Sequence, residues 1–97
     1  MTNLSRATIP GRRPGVLAQQ VKPDDPSVVL LNPQSGEYYT LEPVGTRVWE
    51  LCDGKRTIAE IATIISQEYD ESPEIIETDV IELLQELIDE VLVVPVA

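Results

Sequence analysis

Apolar positions along this chain change their spacing twice, and each change predicts a different kind of element. Residues 28–31 (VVLL) form a continuous aliphatic run, closed by the turn residues Asn32, Pro33, Ser35 and Gly36. Residues 37–41 then alternate, with Tyr39 and Leu41 on one face and Tyr38 and Thr40 on the other. Two strand-prone runs separated by about four turn residues predict a hairpin, Gly36 supplying the dihedral freedom that the turn needs. Upstream, residues 16–21 (VLAQQV) predict a first short strand, and residues 22–27 (KPDDPS) a loop rich in proline and aspartate.

Beyond residue 42 the spacing becomes helical. A first helix is expected from Pro43, which suits a first turn, to about Cys52, with Val44, Val48 and Leu51 on one side and Asp53-Gly54 ending it. Thr57 followed by Glu60 is a capping-box pattern. It opens a second helix whose apolar positions Ile58, Ile61, Ala62, Ile65 and Tyr69 recur at three and four. Ser72-Pro73 opens the third and longest helix, expected to run to about Glu90, and residues 91–94 close the chain as an extended segment or short strand.

The third helix carries an apolar arc of about 160°, wider than the roughly 100° that one packed face needs. It is read either as a helix wedged between two core neighbours or as one wall of a groove. In the second case Ile81, Leu84 and Ile88 face the strand of residues 37–41, whose unpaired edge could receive an extended peptide. Glu77, Asp79 and Glu82 would then favour a guest carrying Lys or Arg.

Length and composition narrow the function. A chain of 97 residues with 42% hydrophobic content builds one domain with its own core, here assigned to residues 16–97 behind a flexible tail at 1–15. Residues 1–59 hold all seven Lys and Arg against six carboxylates, whereas residues 60–97 hold eleven carboxylates and no base. The third helix, beginning PEIIETD, would repel a phosphate backbone, so no nucleic-acid partner is expected. The chain has no His and a single Cys52, which removes the common metal ligands and the usual general base. Cys52 is expected to be a buried apolar residue. No catalytic residue, metal or cofactor is therefore expected. No apolar run is long enough to span a bilayer, so no membrane partner is expected and a cytoplasmic location is.

The stretch GEYYTLEPVGTRVWELCDGKRTIAEIA, from Gly36 to Ala62, followed by a long acidic helix closing at VLVV, resembles the PqqD-like family. Its most specific positions are Leu41, Trp49, Leu51, Asp53, Gly54, Arg56, Thr57, Ile58, Glu60 and Ile61. These proteins are the recognition elements of ribosomally made, post-translationally modified precursor peptides. The resemblance implies an α+β, winged helix-turn-helix-like fold: an N-terminal three-stranded antiparallel β-sheet followed by three α-helices. It also implies that a leader peptide adds to the third strand, at Glu37, Tyr38, Tyr39, Thr40 and Leu41, against helix positions Glu77, Ile81, Leu84 and Ile88. The partners implied are a precursor peptide and a modifying enzyme or leader peptidase, with Arg47, Lys55 and Arg56 as further contact candidates. Within the family, one branch presents a precursor to a radical S-adenosylmethionine enzyme in pyrroloquinoline quinone synthesis, and another hands leaders to a protease in lasso-peptide pathways. The aromatic pair Tyr38-Tyr39 leans towards the second. The competing reading is a structural or regulatory winged-helix protein that dimerises through its open strand edge.

Overall fold

The computed structural model describes residues 4–96. Five strands and three helices follow in the order β1 (Pro10–Arg12), β2 (Leu17–Lys22), β3 (Asp25–Asn32), β4 (Glu37–Leu41), α1 (Pro43–Leu51), α2 (Ile58–Tyr69), α3 (Pro73–Asp89) and β5 (Val93–Pro95). The three-stranded antiparallel sheet has the order β2-β3-β4, and β1 pairs separately with β5. The α+β fold with a winged helix-turn-helix layout is thus as the sequence predicts.

The hairpin of β3 and β4 pairs Leu30 with Tyr39 and Val28 with Leu41. Its turn is held by the Gly36 amide donating to the Asn32 carbonyl at 2.8 Å, with Gly36 at a φ of 75°. Leu30 and Leu41 point to the helices and are fully buried, whereas Tyr38 on the opposite face is 72% exposed. In α2, the Thr57 hydroxyl accepts from the Glu60 amide at 3.1 Å and the Glu60 carboxylate accepts from the Thr57 amide at 2.9 Å, completing the capping box. Ile58, Ile61, Ala62 and Ile65 of α2 pack with Ile76, Val80, Leu84 and Leu87 of α3 and with Val48 and Trp49 of α1 in one core. Val44 and Tyr69 instead lie at the surface, and Thr46 is buried with its hydroxyl towards the Leu41 carbonyl at 3.4 Å.

Two segments differ from expectation. The loop predicted at residues 22–27 is mostly strand: Lys22 pairs with Asp25 around a two-residue turn, and β3 begins at Asp25. The Gln20 side chain clasps that turn by donating to the Asp25 carbonyl at 2.7 Å. Of the expected tail, Met1–Asn3 lies outside the described residues, as does Ala97. Pro10–Arg12 form β1, paired with the closing strand, so this part of the expected tail is built into the body. The carbonyls of Arg6 and Thr8 accept from the Ala59 and Ile58 amides at 3.0 and 2.9 Å, satisfying orphan donors in the first turn of α2. A Cβ at Gly11 would stand 2.7 Å from Val96 Cγ2, so a side chain there would push the Val96 side chain aside.

Candidate peptide-binding cleft

Strand order leaves β4 at one edge of the sheet, and no other strand pairs with its outer side among the described residues. Unpaired amides and carbonyls along an edge are a template for another strand. The inner-face side chains of β4 meet α3 in three steps. Leu41 lies near Leu83 across Gly45, where a Cβ would sit 3.3 Å from Leu41 Cδ2 and 3.4 Å from Leu83 Cδ2. The Tyr39 hydroxyl donates to Glu86 Oε2. At the far end Glu37 stands close enough to Glu90 to perturb its titration.

A cleft of about 310 Å³ opens beside these rungs, lined by Tyr39, Thr40, Leu41, Glu42, Gly45 and Leu83. Hollows of similar size lie on α2, around Ala59 and Ile64, and on the outer sheet face, around Val29 and Tyr38. Volume therefore does not single out one of them. The β4 cleft alone combines a strand edge with a helix packed alongside it. The other edge, β2, has every residue exposed.

Burial and neighbouring carboxylates set the electrostatics. Burial, aided by the Glu86 carboxylate, pushes the Tyr39 phenol up to about 12. Hydrogen bonding to Glu37 and repulsion from its charge hold the Glu90 carboxyl above the usual carboxylate range. None of Glu37, Glu86 and Glu90 forms an ion pair with Lys or Arg among the described residues. Leu41 and Leu83 thus line the cleft together with Glu42, while Glu37, Glu86 and Glu90 lie outside its lining.

The strand positions Glu37, Tyr38, Tyr39, Thr40 and Leu41 are brought together as expected, with Tyr38 and Thr40 on the face away from α3. The expected helix positions are not on the cleft. Leu84 is fully buried in the core. Glu77 pairs with Arg6 of the N-terminal segment at 3.2 Å, and Ile81 and Ile88 share its flank of α3, within about 40° on a helical projection. Leu83, Glu86 and Glu90 occupy the opposite flank, and they are the residues that face β4. The apolar arc is wide because it spans the core-facing stripe and both flanks, and periodicity gives no means of choosing between flanks.

The other candidates divide. Arg47 is tied to Glu68 at 2.7 Å and approaches Glu50 at 3.8 Å, and Arg56 pairs with Asp53 at 2.5 Å, so both serve internal contacts. Lys55 is exposed. Cys52 is fully buried, and burial raises its thiol to about 12, which suppresses the thiolate. Among the described residues no group of three or more His, Cys, Asp or Glu could hold a metal, and no helix is long and apolar enough to cross a membrane.

Comparison with known proteins agrees with this architecture. The family model described as coenzyme PQQ synthesis protein D matches residues 27–93. A PqqA binding protein from Xanthomonas campestris pv. campestris (strain B100) is 37% identical over 86% of this chain and 87% of its own length. Among solved structures, the PqqD truncation of Methylobacterium extorquens PqqCD, described as a functional and stand-alone recognition element for ribosomally synthesised and post-translationally modified peptides, is 30% identical. It superposes with a TM-score of 0.79 over 96% of both chains. TbiB1 in complex with the TbiA(beta) leader peptide is 31% identical, with a TM-score of 0.74 over 86% of this chain and 93% of that one. On the match of the family model, the sequence identity and the shared fold, this chain belongs to the PqqD family of coenzyme PQQ synthesis protein D.

Proposed function

We propose that this protein is a non-catalytic module that binds the leader segment of a ribosomally synthesised precursor peptide by adding it as a strand to β4, and presents it to a modifying enzyme or leader peptidase. The observation that carries the reading is the unpaired edge of β4 beside the Leu83 and Glu86 flank of α3. Main-chain hydrogen bonds along that edge supply affinity for any extended segment, and the cleft supplies selection among side chains. The family relatives support it: one structure holds a leader peptide, and the 37% identical protein is named for binding PqqA. That second likeness favours a quinone-pathway precursor, delivered to a radical enzyme, over the lasso-type leader that the aromatic pair suggests.

The test compares neighbouring residues on α3. Leu83→Asp keeps the fold and weakens binding of a cognate leader at least about tenfold, because a charge then lines the apolar end of the cleft. Leu84→Asp unfolds the domain, since a buried unpaired carboxylate removes a large share of a stability of about 5–15 kcal/mol. Circular dichroism reads the fold and calorimetric titration with the leader reads the binding. Unaltered affinity in a folded Leu83→Asp protein would exclude this cleft. A stable dimer that buries residues 37–41 would favour self-association through the same edge instead.

A further inference from the structure

The sheet has a second open edge, and its residues differ from those of the first. No other strand pairs with the outer side of β2 among the described residues, and all six residues of β2 are exposed. The first helix packs beneath β3 and β4, so β2 overhangs the helical layer and can be reached from either face. Exposed edges are commonly guarded by charge, proline or a bulge. Here Lys22 and the bulge between Gln20 and Lys22 guard one end, and Pro14 precedes the other. Residues 16–21 between them (VLAQQV) carry no charge, in a chain of net charge -10. Leu17 lies on the face of Leu31 and Tyr38, away from the helices, and Val21 shares a hollow on that face with Gln19, Val29 and Tyr38. Leu17 and Val21 are 56% and 58% exposed, so two aliphatic side chains flank an uncharged centre on an open edge.

We propose that β2 is a self-association edge, on which a second copy of this chain pairs antiparallel about a two-fold axis at Gln19. A two-fold axis perpendicular to the sheet runs the two strands antiparallel with their faces matched. Centred on Gln19, it sets Gln19 opposite its own counterpart and Leu17 opposite Val21 of the second copy, so that both exposed aliphatic residues are covered. An axis at Gln20 would set Leu17 opposite Pro23 and Ala18 opposite Lys22, and one at Ala18 would set Leu17 opposite Gln19. Neither pairs the aliphatic residues. Charge selects the occupant. Residues 60–97 hold eleven carboxylates and no base, so two copies repel wherever the faces of α2 and α3 approach each other. The overhanging, uncharged β2 lets them meet without opposing carboxylates, and it offers no charge to a partner that is recruited by charge. The joined sheet has the order β4-β3-β2-β2-β3-β4. Both β4 edges stay free at its ends, so the inference does not rest on peptide binding there.

The experiment measures the mass of the full chain by sedimentation at rising concentration, with circular dichroism of every variant. The mass climbs reversibly from one chain towards two. Gln19→Lys sets two like charges directly opposite each other and weakens association at least about tenfold with the fold retained. Gln19→Thr, uncharged and strand-favouring, keeps it. Gln19→Cys forms a disulfide between copies under mild oxidation, because directly opposed Cα atoms stand about 4.5–5.5 Å apart, within disulfide reach. Leu17→Cys does not link to itself, being four residues out of step, but links to Val21→Cys when the two variants are mixed. Cys52 is fully buried and stays out of the exchange. A mass of one chain at every concentration up to about 1 mM overturns the proposal and gives the edge to a partner of another kind. Association that survives Gln19→Lys but is lost in Thr40→Lys belongs to β4 and overturns it as well. Self-linking of Leu17→Cys as efficient as that of Gln19→Cys overturns the register.

Discussion

Tyr39 joins β4 to α3 through one hydrogen bond to Glu86, and its titration reports its burial together with that bond. Its folded-state pKa is raised from 10.0 to about 12, so the stabilisation it contributes is fully present below pH 10 and is lost as pH rises through about 12. An alkaline titration followed by tyrosinate absorbance should show one late-ionising phenol, and Tyr39→Phe should abolish that late step. A protein without that late step would have its Tyr39 phenol neither buried nor bonded to Glu86. The sequence placed Tyr39 and Leu41 on the inner face, because alternation in a strand has only two outcomes. It did not place Leu83, Glu86 and Glu90 against them. The rotation of α3 about its axis is fixed by tertiary packing, chiefly on α2, which periodicity does not report, and both flanks of α3 carry aliphatic residues. A local signal for the correct flank does exist in Gly45, whose missing side chain leaves room for Leu83, but it becomes readable only once the two are known to meet.

Among the elements, the helices were the most legible, because each begins with a signal of known mechanism: Pro43, the Thr57 and Glu60 box, and Ser72-Pro73. The end of α3 is less ordinary. Val91 adopts a φ of 59° while the Leu92 amide reaches back to the Leu87 carbonyl at 2.8 Å, a helix stop at which glycine is the usual residue. A β-branched side chain in the left-handed region costs about 1–2 kcal/mol, and glycine gives back part of the gain through chain entropy. Val91→Gly should therefore raise the melting temperature by about 4 °C in a domain of this size, read by thermal circular dichroism. A lower melting temperature would mean that the Val91 side chain, 44% exposed, contributes more packing than strain. Pro10–Arg12 escaped the sequence reading because a three-residue strand that opens on a proline has no periodicity to show, and its partner strand begins only at Val93.

Over the whole molecule, the acidic half of the chain folds into α2 and α3, and one flank of α3 turns its carboxylates to the sheet edge. The N-terminal segment is fastened to the helical body and the closing strand through backbone bonds to Gly54, Ile58, Ala59 and Val96. A chain begun at Arg13 loses all of these together with the β1–β5 ladder. It should melt at least about 10 °C below the full chain, where a dispensable tail would leave the transition unchanged. The ladder has a mechanical consequence as well. Pro10 faces Pro95 at the outer end of this ribbon, so once residues 6–8 are pulled away from α2 the two strands leave it side by side. Tension between the two ends opens that ribbon one rung at a time, as a zip, rather than shearing every rung at once. The domain would yield readily to a pull along its chain, although its core is closely packed.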